Sequence, residues 1–346
     1  MMGIIREKTG GVSAAFNLPL AIAELQAAPA CLSVSFPAGS DRLRILVSAD
    51  DFGLSEGITT NILDAVDHGV VTSVSIIANG AGFEHAIGEY RKRRGLFLAV
   101  HLNLMEGRPL CPVDQVPDLV DEQGGFRHSF QSLWLTHLRA ESARRAELCR
   151  QVRAEFRAQL KRVAGCIEPH YNLRVDSHLH VHMIPFVFDV LMDLHDEFQF
   201  EYVRCLAEPL FLTFNGLDSL RNYAGLNVAK HAILNTLTRR ALPRLRSRGI
   251  AHCRHFIGVL FTGNMREEAV AAALARLESR CRADELVEIL LHPGGAAPGE
   301  EWVWIGKPAF LNVYYSGWRK RERDTLKSPA FRALVEDRII RRADRN

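Results

Sequence analysis

Short apolar runs alternate along the chain with segments whose apolar residues return every three or four positions. The runs predict strands at Arg42–Ala49, Val70–Ile77, Leu96–Leu104, Asn172–Ser177, Phe200–Leu206, Phe256–Phe261 and Leu286–Leu291. The helical spacing predicts a helix capped by Ser55, carrying Ile58, Ile62, Ala65 and Val66 on one face and closed by Gly69. Further helices are expected at 83–93, 131–164 (the longest, closed by Gly165), 185–198 with Pro185 in its first turn, and 226–248. Another, at 265–280, would open on a capping box of Asn264 and Glu267. Strands alternating with helices imply an α/β protein with a mostly parallel sheet, and this many units suggest closure into a (β/α) barrel. The Pro- and Gly-rich stretch 106–130 and the irregular stretch 207–225 read as loops at the rim.

The strand 96–104 alternates with a period of two, so His101 and Asn103 share a face. The first apolar run ends in two adjacent carboxylates, Asp50 and Asp51, which repel each other unless a cation neutralises one. Asp50-Asp51, His101, His178 and His292 all fall at or near strand ends. In a parallel barrel that end faces substrate, and packing does not account for such a set. A carboxylate and two imidazoles suit a catalytic cation with open positions, the second carboxylate can take a proton from water, and His292 can protonate a leaving amine. His178, His180 and His182 alternate, and neighbours about 7 Å apart in extended chain do not all grip one ion. Arg204 stands at another strand end, and Trp302, Trp304, Tyr314 and Tyr315 offer faces for a sugar ring or for the core.

Composition narrows the field. The chain has 346 residues, 47% apolar and 24% charged, with a net charge of +3, which provides no nucleic-acid footprint. Basic clusters at 144–162, at 239–248 and after 319 read as solvated helix faces. Seven scattered cysteines without a Cys-x-x-Cys pair point to a reducing, cytoplasmic compartment and away from a thiolate zinc site. No transmembrane run is present, and Pro19 and Glu24 break the apolar stretch 12–30, which speaks against a secretory signal. Residues 1–41 lack periodicity and read as a poorly ordered extension, 42–325 as the catalytic domain and 326–346 as a charged tail. A homo-oligomer is left open.

The motifs Ser48-Ala49-Asp50-Asp51-Phe52-Gly53, Asn79-Gly80, Val100-His101-Leu102-Asn103-Leu104, and Asp176-Ser177-His178-Leu179-His180-Val181-His182 resemble the YdjC-like carbohydrate deacetylases, a group that includes diacetylchitobiose and hopanoid-associated enzymes. That resemblance implies a distorted (β/α) barrel of the polysaccharide-deacetylase kind. It also implies a divalent cation on Asp51, His101 and His178, with Asp50 as general base and His292 as general acid. His180, His182, Asn103, Arg204 and Trp302 would be substrate contacts or supports of the ligands. The family implies Mg2+, whereas two imidazoles suit Zn2+, Mn2+ or Co2+. The expected substrate is an acetylated amino sugar of chitooligosaccharide or glycolipid type. A sugar phosphoesterase and a non-catalytic sugar-binding protein are the alternatives, the first disfavoured by the lack of a second acidic cluster for a two-metal site.

Overall fold

The computed structural model describes residues 43–342 apart from 169–170, 215–216, 283–284 and 305–306, so the expected N-terminal extension lies outside the described residues. The strands are β1 (Arg44–Phe52), β2 (Ser73–Ile76), β3 (Phe97–Leu102), β4 (Arg174–Ser177), β5 (Tyr202–Val203), β6 (His255–Ile257) and β7 (Leu286–Leu291). Between them run α1 (Glu56–His68), α2 (Phe83–Arg91), α3 (Phe130–Arg139), α4 (Ser142–Ala164), α5 (Pro185–Phe198), α6 (Leu217–Asn222), α7 (Gly225–Ser247) and α8 (Glu267–Glu278). After β7 come α9 (Pro308–Tyr314), α10 (Gly317–Lys327) and α11 (Pro329–Val335).

All pairings are parallel, in the order β5-β4-β3-β2-β1-β7-β6, which bears out the α/β reading. Both faces of such a sheet are covered, and β1 is accordingly buried along almost its whole length. The sheet curls into a distorted, incompletely laddered barrel. Arg204, just past β5, reaches Asp50 on β1 at 2.7 Å and Glu288 on β7 at 2.8 Å, which a flat sheet in this order would keep apart. Between β5 and the chain entering β6, the strand pairing is reduced to an isolated bridge of Tyr202 with Ala251 among the described residues.

Local chemistry explains where the elements start and stop. Ser55 caps α1 by accepting from the Ile58 amide at 3.2 Å, as expected. Gly80 is obligatory, because a Cβ there would lie 2.1 Å from the Gly53 carbonyl oxygen, so the turn after β2 packs directly on the backbone that follows Asp51.

Several expectations need correction. β1 continues through Asp50 and Asp51 to Phe52, so both acids belong to the strand, with a register shift between Ala49 and Phe52. β5 keeps only two residues of the expected seven-residue run, because the chain beyond Val203 turns inward to place Arg204. The long helix expected over 131–164 is two helices, broken where Ala140 and Glu141 turn extended. The Asn264–Glu267 capping box does not form: Arg266 is the N-cap of α8 without a side-chain bond, and Asn264 Oδ1 instead accepts from Arg321 at 3.1 Å.

The segment expected as a charged tail contributes to the core. Phe331 and Val335 of α11 are fully buried, and the Ile340 amide donates to the Ile45 carbonyl at 2.9 Å. No helix among the described residues is long and apolar enough to cross a membrane. Phe331→Ala should therefore cost about 3–5 kcal/mol, a marked drop in the thermal midpoint by calorimetry that a solvated tail would not show.

Candidate active site

Parallel register brings the candidate residues to one end of the sheet. Ala49 pairs with Leu291, so Asp50 and His292 emerge side by side, and His101 pairs with Asp176, two residues before His178. Asp51 has a left-handed φ of 72°, rare for a residue with a side chain, and the relaxed Gly53 at 85° follows it. A second such departure, at Leu179 (49°) and His180 (57°), bends the chain after β4 into a 3-10 turn and separates the three histidines.

Ligand atoms of Asp51, His101 and His178 lie within 4.8 Å of one another, as the motifs predict. Asp51 Oδ1 is buried, 2.9 Å from His178 Nδ1 and 3.9 Å from His101 Nε2, with no well-formed hydrogen bond to satisfy it. The outer nitrogen of each imidazole is held by a carboxylate. His101 Nδ1 donates to Asp176 at 2.6 Å, and His178 Nε2 donates to Glu106 at 2.6 Å, so the nitrogens facing Asp51 are Nε2 of one ring and Nδ1 of the other. An orphaned carboxylate oxygen facing two ring nitrogens, each backed by a carboxylate, fits a divalent cation, and the donor set suits Zn2+, Mn2+ or Co2+.

Charge supports the same fit. The site gathers buried carboxylates at Asp50, Asp51, Glu106, Asp176, Glu288 and Glu322 around the guanidinium groups of Arg204 and Arg319. Burial would raise the Asp51 carboxyl, but Arg319, whose Nη1 donates to Oδ2 at 2.8 Å, together with His178 holds it well below the usual carboxylate range. Burial alone would lower His178, but Glu106 and Asp51 push it up to about 10. Asp176 is likewise lowered against its burial by Arg204 and His101.

Asp50 and His292 share with the triad a cavity of about 550 Å³. Arg204 donates to both Asp50 oxygens, at 2.7 and 2.9 Å, and so fixes the plane of that carboxylate. His292 donates its amide to Glu322 at 2.6 Å while its Nδ1 stays buried and unpartnered. His180 lines the cavity as well, with Nδ1 also unpartnered, and burial holds its ring neutral.

Other candidates are supports. Arg204 is only 1% exposed and saturated by Asp50, Asp176 and Glu288. His182 is buried between Ser177 and the Arg204 carbonyl, and burial lowers it to about 4. Asn103 is buried too, accepting from the Met105 and Glu106 amides and donating to Asn79, which shapes the loop carrying Glu106. Trp302 is 60% exposed and does not line the cavity. Trp304 and Tyr314 are buried and donate to Glu106 at 2.8 and 3.0 Å, which settles their part as core aromatics.

This geometry has a counterpart among known proteins: the family described as YdjC-like protein matches residues 44–337. The chain belongs to the YdjC-like family. The resemblance drawn from the motifs is thereby borne out. A carbohydrate deacetylase of Brevibacillus brevis is 34% identical over 45% of this chain, and the match spans 57% of that protein's length. The carbohydrate deacetylase of Mus musculus is 30% identical over 85% of this chain and 91% of its own. A chitooligosaccharide deacetylase of Serratia marcescens is 34% identical over 42% of this chain and 53% of its own. A solved structure titled as a putative cellobiose-phosphate cleavage protein of Enterococcus faecalis superposes with a TM-score of 0.60 over 86% of this YdjC-like chain and 95% of that one, at 21% identity, and bears out the fold.

Sequence reading missed Glu106, Asp176, Arg319 and Glu322. Only Asp176 carried a usable signal, its position in the motif directly before the histidine run. Three outcomes follow for the YdjC-like site. Loading a cation should displace about one proton from His178 near pH 8, seen by calorimetric titration in buffers of different ionisation heat. In the cation-free protein the raised His178 contributes stability that is fully present below its ordinary value of 6.5 and is lost as pH rises through about 10, which a pH series of melting curves would register. Glu106→Gln should weaken cation binding about 10- to 100-fold by the same titration.

Proposed function

We propose that the chain is a metal-dependent deacetylase, hydrolysing the N-acetyl group of an acetylated amino sugar to acetate and a free amine. The observation that carries this is the convergence of Asp51, His101 and His178 within 4.8 Å, with Asp50 and His292 lining the same cavity. Relatives named carbohydrate deacetylase and chitooligosaccharide deacetylase support the reading.

A divalent cation on the triad supplies Lewis acidity and a more acidic water. Asp50, held in plane by Arg204, takes the proton from the attacking water. His292, which lines the cavity from the neighbouring strand end, protonates the departing nitrogen as the C–N bond breaks. The indoles of Trp134 and Trp318 line the cavity and suit the apolar faces of a sugar ring of either the chitooligosaccharide or the glycolipid type. For the compartment we infer the cytoplasm: the six described cysteines are all free thiols.

Asp50→Asn should retain the cation and lose deacetylation by about 10²–10⁴-fold, whereas His101→Ala should lose both. Acetate release from N-acetylated chitooligosaccharides, with metal content measured in parallel, checks this. Full turnover by Asp50→Asn would remove it as base, and phosphate release from sugar phosphates without acetate release would favour the phosphoesterase instead.

A further inference from the structure

Beside the catalytic cavity, and sharing Leu226, Ala229 and Ile233 with its wall, lies a face whose outer part the chemistry above does not use. The loop from Leu206 into α7 exposes large apolar side chains in close succession: Leu210 at 57%, Leu212 at 81%, Phe214 at 66%, Leu220 at 51% and Leu226 at 88%. Along α7 the exposed positions Leu226, Ala229, Ile233, Thr236 and Arg240 recur at helical spacing, so the outward stripe is apolar over its first half and basic at its far end. Soluble proteins seldom present apolar side chains this exposed and this closely spaced unless something covers them.

The same loop and helix border a second cavity of about 810 Å³, whose lining includes Leu210 and the arginines Arg239, Arg254, Arg276, Arg280 and Arg282. Arg239, Arg276 and Arg280 have no carboxylate partner among the described residues. His255, Cys281 and Glu285 form a potential ligand cluster in that cavity, but guanidinium groups surround it, and His255 is already bonded to Glu285 at 2.9 Å. The chemistry there suits an anion.

We propose that this face docks on the surface of an anionic lipid bilayer. Leu212, Phe214 and the start of α7 enter the headgroup boundary, and the arginine-lined cavity takes the phosphates beside them. Apolar side chains next to unpaired arginines are the two-part signature of interfacial attachment. A symmetric dimer through this face is disfavoured: it would set the arginine cluster of one copy against the same cluster of the other, while the two acids of that cavity are already engaged, Glu208 by the Gly258, Val259 and Leu260 amides and Glu285 by His255. Leu226 and Ile233 also wall the catalytic cavity, so a docked molecule would open its site beside the lipid.

The test is cosedimentation of the full-length protein with vesicles of phosphatidylglycerol and phosphatidylcholine, and with phosphatidylcholine alone. Wild type should pellet with the anionic vesicles and much less with the neutral ones. The double variant Leu212→Asp/Phe214→Asp should lose binding at least about tenfold with an unchanged melting curve, since neither side chain lines either cavity. Arg276→Glu/Arg280→Glu should lose the anionic preference to a similar extent. No pelleting of wild type, equal pelleting of the folded variants, or a wild-type dimer by light scattering that the apolar variant abolishes would each overturn the proposal. Membrane contact can fail in this way while acetate release from a soluble sugar stands, and the reverse holds as well.

Discussion

One guanidinium holds the site end of the sheet together. Arg204 is buried past the end of β5 and bonds at once to Asp50 of β1, Asp176 of β4 and Glu288 of β7, with Ser75 of β2 at 3.3 Å. Strands far apart in the ladder order thereby meet around one cation, which is the electrostatic reason the sheet curls. Tyr202 adds a bond to Glu288, and Ser48 another, so few lone pairs of this buried network go unused. A network of this kind is expensive to desolvate and severe to break, and it fixes one geometry. That fixed geometry is what sets Asp50 in position.

The candidate cation site obeys the same logic one layer higher. Each imidazole that faces Asp51 has its far nitrogen committed to a carboxylate, and each carboxylate is itself tied down: Asp176 by Ser75 and Arg204, Glu106 by Trp304 and Tyr314. The rings cannot rotate away, so they are presented in advance. Strain adds to this: Asp51 holds a left-handed backbone, and Gly53 and Gly80 allow the chain to pack closely beside it.

Much of this was legible in the chain. Period-two and helical spacings placed the strands and helices, and Asp51, His101 and His178 were readable because each stands in a short motif at a strand end. What escaped was long-range. Glu106 sits in a Pro- and Gly-rich stretch with no periodicity, and its partners come from α9 and the turn before it, about two hundred positions away. Arg319 and Glu322 look like ordinary members of a charged helix until folding buries them. Trp304 and Tyr314 carried the right residue type for a sugar platform, and only burial shows that they face Glu106. The capping box at Asn264 matched its pattern and lost to a tertiary bond from Arg321.

The placement of α10 bears on how the molecule matures during synthesis. Asp51, His101 and His178 have all been translated once residue 178 is made, but Arg319, which pairs with Asp51, and Glu322, which seats His292, follow only much later in the chain. A nascent chain thus carries these residues long before it carries the groups that complete their surroundings, and the pocket reaches its finished form only after α10 has been made.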